Sequence, residues 1–181
     1  PMTNPLESIR VSRKLLLIAF MFIAPLGCML YFMTDNINQS HLAFAEKELA
    51  GNEFQRPLEE LLDTVGRHQV IAQRVAFGER ALEAQLPPLQ QQIDRAFEAL
   101  KAVEMKHGVK LEFTAEGLGK RQRENARPAA VERKWQDLKN RAGALPAADA
   151  VKLHASLVAD IGTMIKHAGD ISGLILDPDL D

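Results

Sequence analysis

The chain has 181 residues, a net charge of -2 and a single cysteine. That is enough length for one cored domain, and it excludes an intrachain disulfide and a cysteine-built metal cluster. Aromatics are only 6% and positive charge is not clustered, so the surface lacks the phosphate-tracking and stacking features of a nucleic-acid binder, and no nucleic-acid partner is expected. Ala, Leu, Glu, Gln, Lys and Arg dominate, and no alternating Val/Ile/Thr run occurs, which predicts an all-α fold.

Leu15 to Met33 reads LLLIAFMFIAPLGCMLYFM, 19 residues without a charge. At about 1.5 Å per residue the run is close to the thickness of a bilayer's hydrocarbon core. Pro25 and Gly27 are tolerated in such helices, and Tyr31 and Phe32 fall where interfacial aromatics belong. Arg10, Arg13 and Lys14 flank one end and Asp35 follows the other. The positive-inside rule then gives three parts: a cytoplasmic segment 1–13, a transmembrane helix 14–34 and an extracytoplasmic region 35–181. A cleaved signal peptide is the rival. Its apolar core is usually about 7–15 residues, and the cleavage-like Ala43-Phe44-Ala45 stands apart from the run.

Beyond the span, the helix is expected to continue, with local bending at Gly51 or Pro57, and to close at Leu86-Pro87-Pro88. Its seam is Phe54, Leu58, Leu61, Val65, His68, Ala72 and Val75, stepping by four and three. A second helix fits 88–107, with Leu89, Ile93, Ala96, Phe97, Leu100, Val103 and His107 on one stripe and Gly108 as its stop. Residues 109–127 read as a loop with a short helical turn. A third helix opens at Pro128, shows Val131, Trp135, Leu138 and Ala142 on its face, and breaks over Gly143 to Pro146. A fourth runs from Ala147 to Leu176 with Val151, His154, Val158, Ile161, Ile165, Ala168, Ser172 and Ile175 along one side. Amphipathic segments joined by short breaks predict an antiparallel bundle of the four-helix type after the transmembrane helix.

Three seam histidines, His68, His107 and His154, raise the possibility of metal or haem, but none has a second ligand one turn away, so buried, hydrogen-bonded imidazoles are the better reading and no metal or cofactor is expected. Among the basic residues near the seams, Arg67, Arg74, Arg121, Arg123 and Lys166 have the chemistry to hold a small carboxylate, against the plainer role of solvated helix faces. Trp135 is a candidate stacking surface, against the commoner role of core residue. Arg67, His68, Arg74, Trp135 and His154 are therefore the candidate ligand-binding residues. Gly117-Leu118-Gly119-Lys120 lacks the strand and spacing of a phosphate loop, and no nucleophile–base pair is visible, so no catalytic residues and no enzyme are expected.

Three passages carry a resemblance. The first is Glu48-x-x-Gly51-x-x-Phe54-x-x-Pro57-Leu58, with Leu61-Leu62 and His68 behind it. The second is Trp135-x-x-Leu138. The third is His154-Ala155-Ser156-Leu157-Val158 running into Asp170-x-Ser172-x-Leu174-x-Leu176-Asp177-Pro178-Asp179. In this order they resemble the N-terminal transmembrane and sensor region of bacterial methyl-accepting chemotaxis proteins, and similar regions of membrane histidine kinases and diguanylate cyclases. The resemblance implies a ligand-sensing module of a homodimeric receptor in the bacterial inner membrane, with residues 35–181 in the periplasm. The ligand would be a small molecule such as an organic acid or amino acid, and its occupancy would cross the membrane by helix displacement. His68-Gln69 departs from the His-Arg often seen in the family's first helix, which implies a ligand different from that of members with the Arg. The family pattern continues past the Asp-Pro motif into a second span and an output domain, so the resemblance also implies that the sensor region here is truncated. A membrane-anchored helical scaffold is the alternative without a small-molecule ligand.

Overall fold

The computed structural model describes residues 11–141 and 145–174, with residues 35–40 described as backbone only. The Arg10 flank, Ala142, Gly143, Ile175 and the Asp177-Pro178-Asp179 motif lie outside the described residues. The chain divides into two units, Pro1–Ala43 and Phe44–Asp181.

In the first unit, Val11–Thr34 is a helical stretch of 24 residues, uncharged from Leu15 to Met33, with none of it buried. Leu16, Phe20, Met21, Phe22 and Met29 all stand in the open. A helix this long and apolar is long enough to cross a membrane, and apolar on every side rather than along one stripe.

The second unit is all helix and turn among the described residues. Helix α1, assigned over Val11–Ala76, contributes its residues 44–76 here and runs unbroken through Gly51 and Pro57. It ends earlier than the closure expected at Leu86-Pro87-Pro88. Gly78, at φ 107°, takes a backbone turn that other residues resist, and a 3-10 turn over Arg80–Gln85 follows. Helix α2 covers Leu86–His107, with proline in its first turn where no backbone donor is needed. The expected loop holds a five-residue helix α3, Ala115–Gly119, capped by the Thr114 hydroxyl accepting from the Gly117 amide at 3.1 Å. Helix α4 is Pro128–Arg141 and α5 is Ala147–Ser172. The expectation that α5 reaches Leu176 fails for a local reason: Gly173 adopts a left-handed φ of 75° and ends it.

Cross-links fix the directions. Glu53 meets Lys106, while His68 meets Gln90, so α1 and α2 run antiparallel. Gln55 donates to the Ile165 carbonyl while His68 meets His154, so α1 and α5 are antiparallel as well. Phe54, Leu58, Leu61 and Val65 of α1, Ile93, Phe97 and Leu100 of α2, Val131, Trp135 and Leu138 of α4, and Leu157, Ile161 and Met164 of α5 form one core, closed below by Leu111, Phe113 and Leu118 of the loop. The antiparallel bundle expected from the seams is therefore present. The α5 face is turned slightly from the expected one. Leu157 and Met164 are buried, whereas Val158 and Ile165 are half-buried and Val151 is exposed.

Candidate functional site

The seams of α1 and α5 each place one histidine near the same end of the bundle. His68 and His154 are 2% and 3% exposed, and their rings meet edge to edge, 28° from coplanar, with centroids 5.2 Å apart. The Nδ1 of His68 is 2.9 Å from the Nε2 of His154. On its far side, the Nδ1 of His154 is 2.7 Å from the Ala150 carbonyl. A carbonyl only accepts, so the His154 Nδ1 carries the proton and donates it there. In the neutral ring its Nε2 is then an acceptor, and His68 donates from Nδ1. That leaves Nε2 of His68 as an acceptor, met by the Gln90 amide at 3.4 Å, the long limit of such a bond.

The electrostatics agree with this uncharged relay. Burial, and secondarily the neighbouring His154, pushes His68 down to about 4. Burial also lowers His154, partly offset by its bond to Ala150. Both rings are neutral near pH 7. The ring of Trp135 meets His68 edge-on, centroids 5.1 Å apart. Its indole N–H donates to Asp94 at 2.8 Å, and Lys139 pairs with the same carboxylate at 2.9 Å. Burial raises the Asp94 carboxyl, but the bonds from Lys139, Trp135 and Gln136 outweigh it and hold it below the ordinary range.

Beside the histidine pair lies a cavity of about 570 Å³, within the range of small-molecule sites. His68, Gln73, Gln90 and His154 are its neutral polar lining; Ala72, Val75, Leu86, Leu138 and Val151 are among its apolar walls. Phe77, 86% exposed, also borders it, so the space reaches the surface. Among the described residues, Glu83 is the one acidic side chain on the lining and no Lys or Arg lines it.

Of the five candidate residues, the fold brings three together. His68 and His154 line the cavity, and Trp135 is core, fully buried behind His68. Arg67 and Arg74 are not part of it. Arg67 is exposed at 3.8 Å from Asp63, beside Leu62, Gly66 and Val70. Arg74 is clamped by Glu79 at 3.0 and 2.5 Å. Arg121 bonds Glu112, Arg123 bonds Asp170, and Lys166 is exposed. His107 lies at the other end of α2, 2.9 Å from Glu53. Among the described residues, no three His, Cys, Asp or Glu side chains gather closely enough to hold a metal ion. Sequence reasoning missed Gln90 and Glu83. Gln90 falls one residue off the α2 stripe, and Glu83 sits in a turn whose direction has no periodic signal.

No family model matches the chain, and neither the curated proteins nor the solved structures yield a match.

Proposed function

We propose that this chain is the membrane-anchored, ligand-sensing region of a bacterial receptor, with a small molecule bound in the cavity beside His68 and His154. The observation that carries the reading is the cavity itself: a space of about 570 Å³ flanked by a buried side-chain relay. The order of the three sequence passages supports a sensor of the chemotaxis-receptor kind, with histidine-kinase or cyclase sensors as variants that differ in output. In this reading the membrane span is 14–34, within the helical stretch Val11–Thr34, its N-terminal side is cytoplasmic, residues 35–181 are periplasmic, and the receptor is a homodimer.

The cavity has walls from α1, the α1–α2 turn, α2, α4 and α5. A ligand that binds one arrangement of these helices better than another shifts the balance between them, by no more than its difference in affinity. Displacements of about 1–2 Å at packed helices are the usual scale of such shifts. Helix α1 carries both His68 and the apolar stretch, so it is the element through which occupancy is passed on.

Thermal unfolding of the full chain in detergent, screened against amines, alcohols, amino acids and organic acids, tests this. A true ligand at a hundred times its Kd adds about 2.7 kcal/mol, a rise of roughly 5–10 °C in Tm. That rise should vanish in Ala72→Phe, which fills the cavity. A folded protein that no compound stabilises, and that instead retains a stable protein partner from membranes, points to the scaffold.

A further inference from the structure

The composition of the cavity wall discriminates between ligand classes. A carboxylate brought into a largely apolar space needs a cation or several donors to replace its water. Among the described residues the lining offers no Lys or Arg, its side-chain amide donors are those of Gln73 and Gln90, and its one acidic group, Glu83, opposes an anion. The nearest candidate on α1, Arg74, is held by Glu79 outside the lining. The relay supplies the complementary feature. His154 is anchored on the Ala150 carbonyl, so donors run from His68 toward His154 and Nε2 of His68 is left as an acceptor. Its present partner, Gln90, is held at only 3.4 Å and is readily replaced.

We infer that the cavity takes an uncharged or cationic molecule with an apolar body and a hydroxyl or amine group, the donor bonding Nε2 of His68 and the body lying against Ala72, Val75, Leu86 and Val151. This rests on the reading of the cavity as the ligand site. An amine gains further from Glu83 at the wall; an alcohol does not. Organic acids and zwitterionic amino acids, whose carboxylate finds neutral amides but no cation there, are disfavoured.

Hexanol, hexylamine and hexanoate share one apolar body and differ in charge and donor. They are titrated into the full chain in nanodiscs at neutral pH, following the emission of Trp135, the chain's one tryptophan, which touches His68. Hexanol and hexylamine are expected to saturate the signal at least about tenfold more tightly than hexanoate. Ala72→Phe and, from α5, Val151→Phe should abolish the response, whichever of them folds. Glu83→Gln should weaken hexylamine about threefold and leave hexanol unchanged. Hexanoate binding as tightly as hexanol, and lost in the two filling variants, overturns the ligand class while leaving the cavity as the site. A folded protein with no saturable response to any of the three, or a response the filling variants retain, overturns both.

Discussion

Helix α5 carries two buried histidines that meet opposite surroundings. His167, fully buried, lies 3.0 and 3.2 Å from the Leu111 and Glu112 carbonyls through Nε2 and packs edge-on against Phe113 at 4.7 Å. Thirteen residues earlier, His154 bonds another imidazole and faces open volume. Burial pushes both down, so both are neutral near pH 7. Depth and a lowered pKa therefore do not distinguish a staple from a site. The partners do: backbone carbonyls and packed rings fix the loop at one end, whereas a side-chain relay beside a cavity keeps an acceptor within reach of a ligand at the other.

The sharpest contrast should come from the packed end. Phe54→Ala removes a ring stacked on Phe113 at 4.3 Å and should lower stability by about 3–5 kcal/mol in urea unfolding. At the cavity end, acid is the lever. His68 titrates near 4 when folded and near 6.5 when unfolded, so the unfolded chain binds the extra proton between those values. The contribution is complete above about pH 6.5 and is lost as pH falls toward 4, by roughly 3 kcal/mol. His68→Gln should flatten that part of the stability–pH curve. His167→Ala strands two backbone carbonyls and opens a void, for a loss of roughly 2–3 kcal/mol with no effect on ligand binding. Asp94→Asn, which weakens the support of Trp135 without emptying space, should cost about 1–2 kcal/mol. Arg74→Gln breaks only an exposed pair, and a change within about 0.5 kcal/mol with unaltered ligand affinity is expected.

How much of this was legible in the sequence depends on the interaction. The α1 and α2 seams were readable because their apolar steps leave one alternative face, which is polar. On α5 the apolar residues nearly encircle the helix, so Leu157 and Val158, or Met164 and Ile165, compete equally in the pattern, and only packing against α1 and α4 selects the first of each pair. His68 and His154 were singled out as seam positions. Their meeting depends on the levels at which α1 and α5 align, which loop geometry sets. The arginines mislead for the reverse reason. Arg67 and Arg74 lie close to the seam in sequence, but Asp63 and Glu79 sit within reach to hold them on the surface. His167 escaped notice because its value lies in two carbonyls of a loop 55 and 56 residues away.

The central claim is that the His68–His154 cavity is where a ligand acts. Long-range proton–nitrogen spectra of the histidine rings in the full chain, recorded during a hexanol titration, test it with His167 as an internal reference. Neutral rings protonated on Nδ1 at His68 and His154, with their nitrogens shifting on titration while those of His167 stay still, is the result expected. Charged rings at neutral pH, or shifts of His167 as large as those of the pair, would contradict it.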